Sequence, residues 1–239
     1  MAADGTDTSR WRQRSAAVFL ATVAMAGVVL YLLIDVVLQL LPPHYSPIRD
    51  AESNLAVGPY GWVMNLNFLG RAVFCLATVI AIALTAGEHS QRRRDRLLGT
   101  GLGLFLVGGA SSAVLAFFPT DVSPAHVSTL QTSTTVGVVH LAVATGGFVA
   151  ALVAITLLTI WLRVRRVLPG VQPWAVLFAV LTLNGLLLVV VSSAWLPGII
   201  GFAERVALVG ILGWTFSVNA GIRRWHPSLG EGCLRSDRD

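Results

Sequence analysis

Residues 16–41 read AAVFLATVAMAGVVLYLLIDVVLQLL, a run in which Asp35 is the single charged side chain. The run exceeds the roughly 20 apolar residues that an α-helix needs to cross a bilayer. Arg10, Arg12 and Arg14 precede it, as basic residues precede the apolar part of a signal peptide. That apolar part has only about 7 to 15 residues, however, and no small-residue cleavage site follows here. We therefore expect a retained helix that spans the membrane.

The composition of the whole chain agrees with this interpretation. Hydrophobic residues make up 55% of the 239 residues and charged residues 12%, with a mean hydropathy of +0.73. An ordinary soluble domain has roughly 25% charged residues. Apolar runs of spanning length predict an all-α, polytopic membrane protein with six transmembrane helices, near residues 16–41, 61–86, 97–118, 134–162, 173–196 and 203–222.

The basic residues predict the orientation of these spans. All 17 are arginines, and 14 of them lie before the first span, after the last span or in the connections after the second and fourth spans. The positive-inside rule assigns that side to the cytoplasm. We therefore expect residues 1–14 and 226–239 to be cytoplasmic tails around a transmembrane domain at 15–225 in the cell membrane. Within the tails, we expect the polar stretches 1–10 and 228–239 to be disordered. Arginines clustered between spans are explained by the topology of the protein, so we expect no nucleic acid partner.

Small residues mark one face of the third span. Gly99 and Gly103 are four residues apart, and small residues continue beyond them at Gly108, Gly109, Ala110, Ser111 and Ser112. Glycines at this spacing allow two helix backbones to approach closely. We expect this face to pack against another helix of the bundle.

Polar and ionisable side chains within the spans lie near one side of the membrane. Counted at 1.5 Å per residue, all are within roughly 15 Å of the extracytoplasmic surface. Ionisable groups are costly in a bilayer and mark either ion pairs or functional sites. Both interpretations stay open for the candidate ligand-binding residues Asp35, Asn67, Arg71, Asp121, His140, Glu204 and Arg205.

Two more specific arrangements follow from the depths of these residues. We expect Asp35 and Arg71 to be close, because each would otherwise be an unpaired charge in the outer half of the bilayer. We also expect one outward-facing polar pocket, lined by Asp121, His140, Glu204 and Arg205. The loop at 119–133 would cover this pocket as a lid. Within the pocket, the candidate catalytic groups are Asp121, His140 and Glu204.

Several short motifs together resemble a known membrane family. They are Tyr45-Ser46-Pro47-Ile48-Arg49-Asp50-Ala51-Glu52-Ser53, Tyr60-Gly61-Trp62-Val63-Met64-Asn65-Leu66-Asn67, Phe117-Phe118-Pro119-Thr120-Asp121 and Gly137-Val138-Val139-His140. The combination resembles the bacterial and archaeal membrane proteins grouped as domain of unknown function 998. The resemblance covers all six spans. It implies a fold and candidate positions, and it implies no reaction.

Two classes of function fit the sequence equally well. The protein either acts on or binds a lipid or other amphiphile from the outer leaflet, or it is a non-catalytic scaffold or accessory subunit. A metal-dependent hydrolase is a weaker alternative, suggested by a loose similarity to the ceramidase-like membrane enzymes. Those proteins carry a His-x-x-x-His pair on a late helix, whereas the fifth and sixth spans here contain no histidine. We therefore predict no metal site and no cofactor, and the sequence leaves the oligomeric state open.

Overall fold

Six long helices form the structure, a computed structural model that describes residues 4–41, 45–87, 95–122 and 132–224. Within these residues all six predicted spans are helical, no strand occurs, and each helix is long and apolar enough to cross a membrane. The all-α, six-span fold is therefore confirmed. The helices are α1 (Asp4–Gln39), α2 (Gly61–Gly87), α3 (Arg96–Leu115), α4 (Thr135–Arg165), α5 (Gln172–Trp195) and α6 (Ile200–Arg224).

The first helix begins earlier than the hydropathy indicates. Its polar residues before the apolar run, which we expected to be disordered as far as Arg10, are already helical from Asp4. Hydropathy reports which part of a helix can enter the bilayer, whereas arginine and glutamine are good helix formers in any solvent. The boundary of a span and the boundary of its helix therefore differ here by several turns.

The helices form a closed ring in chain order, α1 beside α2 and so on to α6, which returns to α1. Polar side chains attach α6 to the other side of this ring. The Trp214 indole N–H donates to the Thr159 hydroxyl of α4 at 2.9 Å, and the Asn219 amide donates to the Thr78 hydroxyl of α2 at 2.9 Å. We call the end that carries residues 45–60 and 197–199 the first-loop end, and the opposite end the Arg-rich end.

Close helix contacts in the bundle depend on glycine. A Cβ atom at Gly185 of α5 would overlap the backbone of Ala207 on α6, and one at Gly210 would overlap Thr182 on α5. Between α3 and α4, a Cβ atom at Gly147 would lie 2.7 Å from the Cβ atom of Ser111. These two helix pairs therefore pack at distances that only a residue without a side chain permits.

The predicted packing role of Gly99 and Gly103 is wrong. Both are exposed, and no atom of the described residues lies within 4 Å of the position that a Cβ atom would take. The buried face of α3 instead carries Gly101, Phe105 and Gly108. Because Gly99 and Gly103 lie about 200° around the helix from Gly101 and Phe105, the real contact is on the opposite side from the predicted one.

The α5–α6 contact gives a direct test of this packing. Gly185→Ala should lower the unfolding temperature of the detergent-solubilised protein, because the added methyl forces two backbones apart at a cost of about 1–3 kcal/mol. Gly103→Ala is the matched control, a helical glycine with open space beside it, and it should leave the unfolding temperature unchanged or slightly raised. Equal losses for both variants would contradict the described contact.

Candidate functional site

The connection between α1 and α2 folds back against the bundle at the first-loop end. Its one-turn helix, Glu52–Ala56, is largely buried, with Glu52 only 4% exposed and Leu55 8% exposed. The loop backbone also pairs with α6, because the Phe202 N–H donates to the Ile48 carbonyl at 3.0 Å. A loop between two spans is thus part of the packed interior.

The guanidinium of Arg205, at the start of α6, holds this loop in place. Its Nη1 donates to the carbonyls of Pro47 at 3.1 Å, of Gly201 at 3.1 Å and of Asp50 at 3.3 Å. Its Nη2 donates to the Tyr45 hydroxyl at 2.7 Å and lies 3.8 Å from Asp35 Oδ1. One side chain of α6 therefore contacts both the loop and α1.

Glu52 forms the second attachment of the loop. Its Oε1 accepts a hydrogen bond from the Tyr31 hydroxyl of α1 at 2.9 Å, and its backbone N–H donates to Glu204 Oε2 of α6 at 2.8 Å. Together these contacts join α1, the loop and α6 into one set, which we call the first-loop network. Its buried members are Tyr31, Asp35 and Glu52, and its half-buried members are Tyr45, Glu204 and Arg205.

The predicted pair of Asp35 and Arg71 does not form. Asp35 accepts a hydrogen bond from Gln39 and pairs with Arg205. Arg71 places its guanidinium 6.0 Å from the ring centre of Tyr31 and 5.9 Å from that of Phe148 on α4. The reason is depth: Arg71 is ten residues from the start of α2, whereas Asp35 is only four residues from the end of α1. Arg71 therefore lies level with Tyr31, one turn below Asp35.

Asp121 and His140 join the end of α3 to the start of α4. Asp121 accepts hydrogen bonds from the Ser133 N–H at 2.7 Å and from the N–H and hydroxyl of Thr134 at 2.9 and 2.8 Å. These bonds, those from Thr134 foremost, lower the pKa of Asp121. His140 is 4% exposed, and its Nδ1–H donates to the Phe118 carbonyl at 2.6 Å.

The structure thus groups the predicted site residues into two sets. Glu204, Arg205 and Asp35 belong to the first-loop network, whereas Asp121 and His140 bond to residues of the α3–α4 connection. Asn67 lies beside the first-loop network, where its amide donates to the Tyr31 carbonyl at 3.1 Å. Among the described residues no hydrogen bond or ion pair joins the two sets, and a pocket that includes both stays a prediction. The central part of the predicted lid, 123–131, lies outside the described residues.

Three residues at the centre of the network were not among the predicted site residues. Tyr31 stands inside an apolar run, and Tyr45 and Glu52 stand in a loop that sequence reasoning treats as solvated. The available signal was the apolar run Leu55-Ala56-Val57, which follows the polar residues Glu52 to Asn54 in this loop. Within the described part of the chain, no three His, Cys, Asp or Glu side chains are grouped as metal ligands would be.

Comparisons with known proteins locate the chain in one family. A family model described as "Protein of unknown function (DUF998)" matches residues 25–220, which include all of α2 to α5, most of α6 and the second part of α1. No curated protein and no solved structure matches the chain. The match covers the whole first-loop network as well as Asp121 and His140.

Glu52 makes the stability of this site depend on pH. Burial raises the pKa of Glu52 from its ordinary value of 4.5 to about 8, and the Glu204 and Asp35 carboxylates add to the rise. Between pH 4.5 and pH 8 the folded protein therefore holds a proton that the unfolded chain has released. By linkage, stability falls as the pH rises through this range.

We expect Glu52→Gln to flatten this fall, because a neutral amide can still accept the Tyr31 hydroxyl but does not titrate. The measurement is the unfolding temperature of the solubilised protein from pH 5 to pH 9. Asp95→Asn is the control at the Arg-rich end, where hydrogen bonds from Arg165 and Trp161 outweigh burial and lower the pKa of Asp95. Asp95→Asn should lower the unfolding temperature by the same amount at every pH above 5, so the slope of unfolding temperature against pH should not change. An unchanged slope in Glu52→Gln would contradict the assignment.

Proposed function

Because the chain belongs to the DUF998 family of membrane proteins, whose description assigns no activity, we propose a function from the site itself: the first-loop end binds an amphiphile of the outer leaflet. The supporting observation is the first-loop network, a set of buried and half-buried charged and hydroxyl side chains at the end of a membrane-spanning bundle. Burying such groups is costly, so their position at the depth of lipid head groups favours a ligand with a polar head and an apolar tail.

Aromatic side chains support this depth. Trp62 is 64% exposed at the start of α2, and Trp195 is 74% exposed at the end of α5, both at the first-loop end. Tryptophan is enriched where a membrane meets water, because its ring is apolar and its N–H is polar. Both rings lie at the same end of the bundle as the network, so an amphiphile in the bilayer would carry its head group to that end.

Binding fits the geometry better than catalysis does. The three candidate catalytic groups, Asp121, His140 and Glu204, each engage a backbone group: Asp121 bonds the Thr134 N–H, His140 the Phe118 carbonyl and Glu204 the Glu52 N–H. A general acid or base needs a free position from which to reach its substrate. Side chains committed in this way are better suited to hold a site together than to transfer protons.

The orientation belongs to the same proposal. With the clustered arginines facing the cytoplasm, both termini are cytoplasmic and the first-loop end faces outward in the cell membrane. An amphiphile would then enter from the outer leaflet.

Cysteine labelling tests the orientation. In a Cys75→Ser, Cys233→Ser background, a cysteine placed at Arg49 should react with a membrane-impermeant reagent added to intact cells. A cysteine placed at Arg92, in the predicted cytoplasmic connection, should react only after the cells are opened. The reverse pattern would overturn the orientation.

A non-catalytic scaffold is the second candidate. It is favoured by the same bonds, because Glu52, Glu204 and Arg205 each already have partners inside the protein. In a scaffold, the network would serve only to fix the first loop. The fixed loop would then form a surface that binds another membrane protein. The two candidates differ in whether an amphiphile stays with the purified protein.

We expect a defined amphiphile to remain bound after purification in mild detergent, and to be detected by native mass spectrometry and lipid extraction. Glu204→Ala should reduce its retention severalfold, because it removes the acceptor for the Glu52 N–H and so releases the first loop that the head group would contact. Asp95→Asn, which removes the carboxylate that pairs with Arg165 at the Arg-rich end, is the matched control and should retain it fully. Absence of any enriched amphiphile, with both variants merely less stable, would favour the scaffold.

A further inference from the structure

Arg71 is the most deeply placed cation of the first-loop end. Its side chain is 8% exposed, and it lies ten residues into α2, roughly 15 Å below the start of the helix. Among the described residues no carboxylate oxygen lies within 4.0 Å of its guanidinium. Arginine stays protonated in proteins, so a full positive charge is buried here without a close counter-ion.

Two aromatic rings occupy the surroundings of this charge. The guanidinium lies over the rings of Tyr31 on α1 and Phe148 on α4, which belong to different sides of the bundle interior. A ring attracts the cation through its face but accepts few of its N–H groups. The Tyr31 hydroxyl donates its proton to Glu52, and its oxygen can accept a hydrogen bond from one N–H of Arg71. Most guanidinium N–H donors of Arg71 therefore lack an acceptor within the described residues.

The carboxylates of the first-loop network are committed elsewhere. Asp35 pairs with Arg205 at 3.8 Å, and Glu204 accepts the Glu52 N–H at 2.8 Å. The raised pKa of Glu52, about 8, leaves that side chain uncharged at neutral pH. None of the three supplies a contact ion pair to Arg71.

We propose that Arg71 binds an anionic group, a phosphate or carboxylate, held between the Tyr31 and Phe148 rings inside the bundle. The inference rests on the proposed function and specifies its ligand: the amphiphile has an anionic head. The guanidinium fork suits this chemistry, since its parallel N–H groups match two oxygens of one phosphate or carboxylate. Because Arg71 is only 8% exposed, the attraction between the guanidinium and an anion is stronger here than in water.

The same chemistry could come from a lipid head group or from a free anion. The experiment therefore uses three probes with the delipidated, detergent-solubilised full chain: phosphatidylglycerol, phosphatidylcholine and inorganic phosphate. Binding is measured by native mass spectrometry and by the rise in unfolding temperature that a ligand of the folded state produces. Wild type is compared with Arg71→Gln and with Arg49→Gln. The second variant removes an exposed charge from the first loop, at the same end of the bundle.

We expect phosphatidylglycerol to bind wild type more tightly than phosphatidylcholine, and Arg71→Gln to weaken it roughly tenfold or more, because a charged hydrogen-bond donor is lost. Arg49→Gln should bind like wild type. Stabilisation by inorganic phosphate as large as by phosphatidylglycerol would identify a free anion as the ligand. Preference for the lipid would identify a head group.

Other results would overturn the proposal. If phosphatidylglycerol binds no better than phosphatidylcholine, or binds Arg71→Gln as tightly as wild type, Arg71 does not select an anion. If a defined amphiphile is still retained by wild type and lost from the Glu204 variant, the proposed function stands and only the inference about Arg71 is wrong. If Arg71→Gln does not fold, the test uses two other results. These are the preference of wild type for phosphatidylglycerol over phosphatidylcholine and the binding of phosphatidylglycerol by Arg71→Lys. Lysine keeps the charge but loses the fork, and should bind phosphatidylglycerol with intermediate affinity.

Discussion

The contacts of Arg205 with the first loop are the constraint on which the first-loop end depends. Its guanidinium holds the carbonyls of Pro47 and Asp50, which lie in a stretch of chain that has no regular structure of its own. With the loop fixed there, Glu52 comes to lie against both Glu204 and Tyr31. The position of Glu52 therefore depends on the fixed loop, and the loop depends on the contacts of Arg205. The position of Arg205 at the start of α6 thus sets the geometry of side chains on α1.

The cost of burying charge explains how the network is composed. Three carboxyl groups, Asp35, Glu52 and Glu204, share the first-loop end with two guanidiniums, those of Arg71 and Arg205. If every group were ionised, one negative charge would be left over in a region of low polarity. The raised pKa of Glu52 resolves this by leaving one carboxyl group neutral at neutral pH. Arg71 still has no carboxylate oxygen within 4.0 Å among the described residues.

The sequence predicts the depth of a residue in this fold well, and it predicts the residue's neighbours poorly. Span length alone locates Arg71 and Glu204 at one end of the bundle, because the rise per residue is constant. Which way a side chain faces depends on helix rotation, and almost uniformly apolar spans do not encode it. Gly99 and Gly103 were therefore assigned to the wrong face, and Asp35 to the wrong arginine. Glu52 was missed because a connecting loop is ordinarily solvated, whereas this one is packed against two helices.

Anion binding at Arg71 and protonation of Glu52 are then coupled through Tyr31, which contacts both side chains. The positive field of Arg71 favours the ionised form of Glu52 and so opposes the effects of burial, Glu204 and Asp35. A bound anion cancels that field and raises the pKa of Glu52 further, so the occupied site holds its proton more firmly. Linkage makes the effect reciprocal: ionising Glu52 weakens the anion's attachment by the same free energy. Since Glu52 also fastens the first loop to α1 and α6, the affinity of the site and the stability of the loop would fall together as the pH rises.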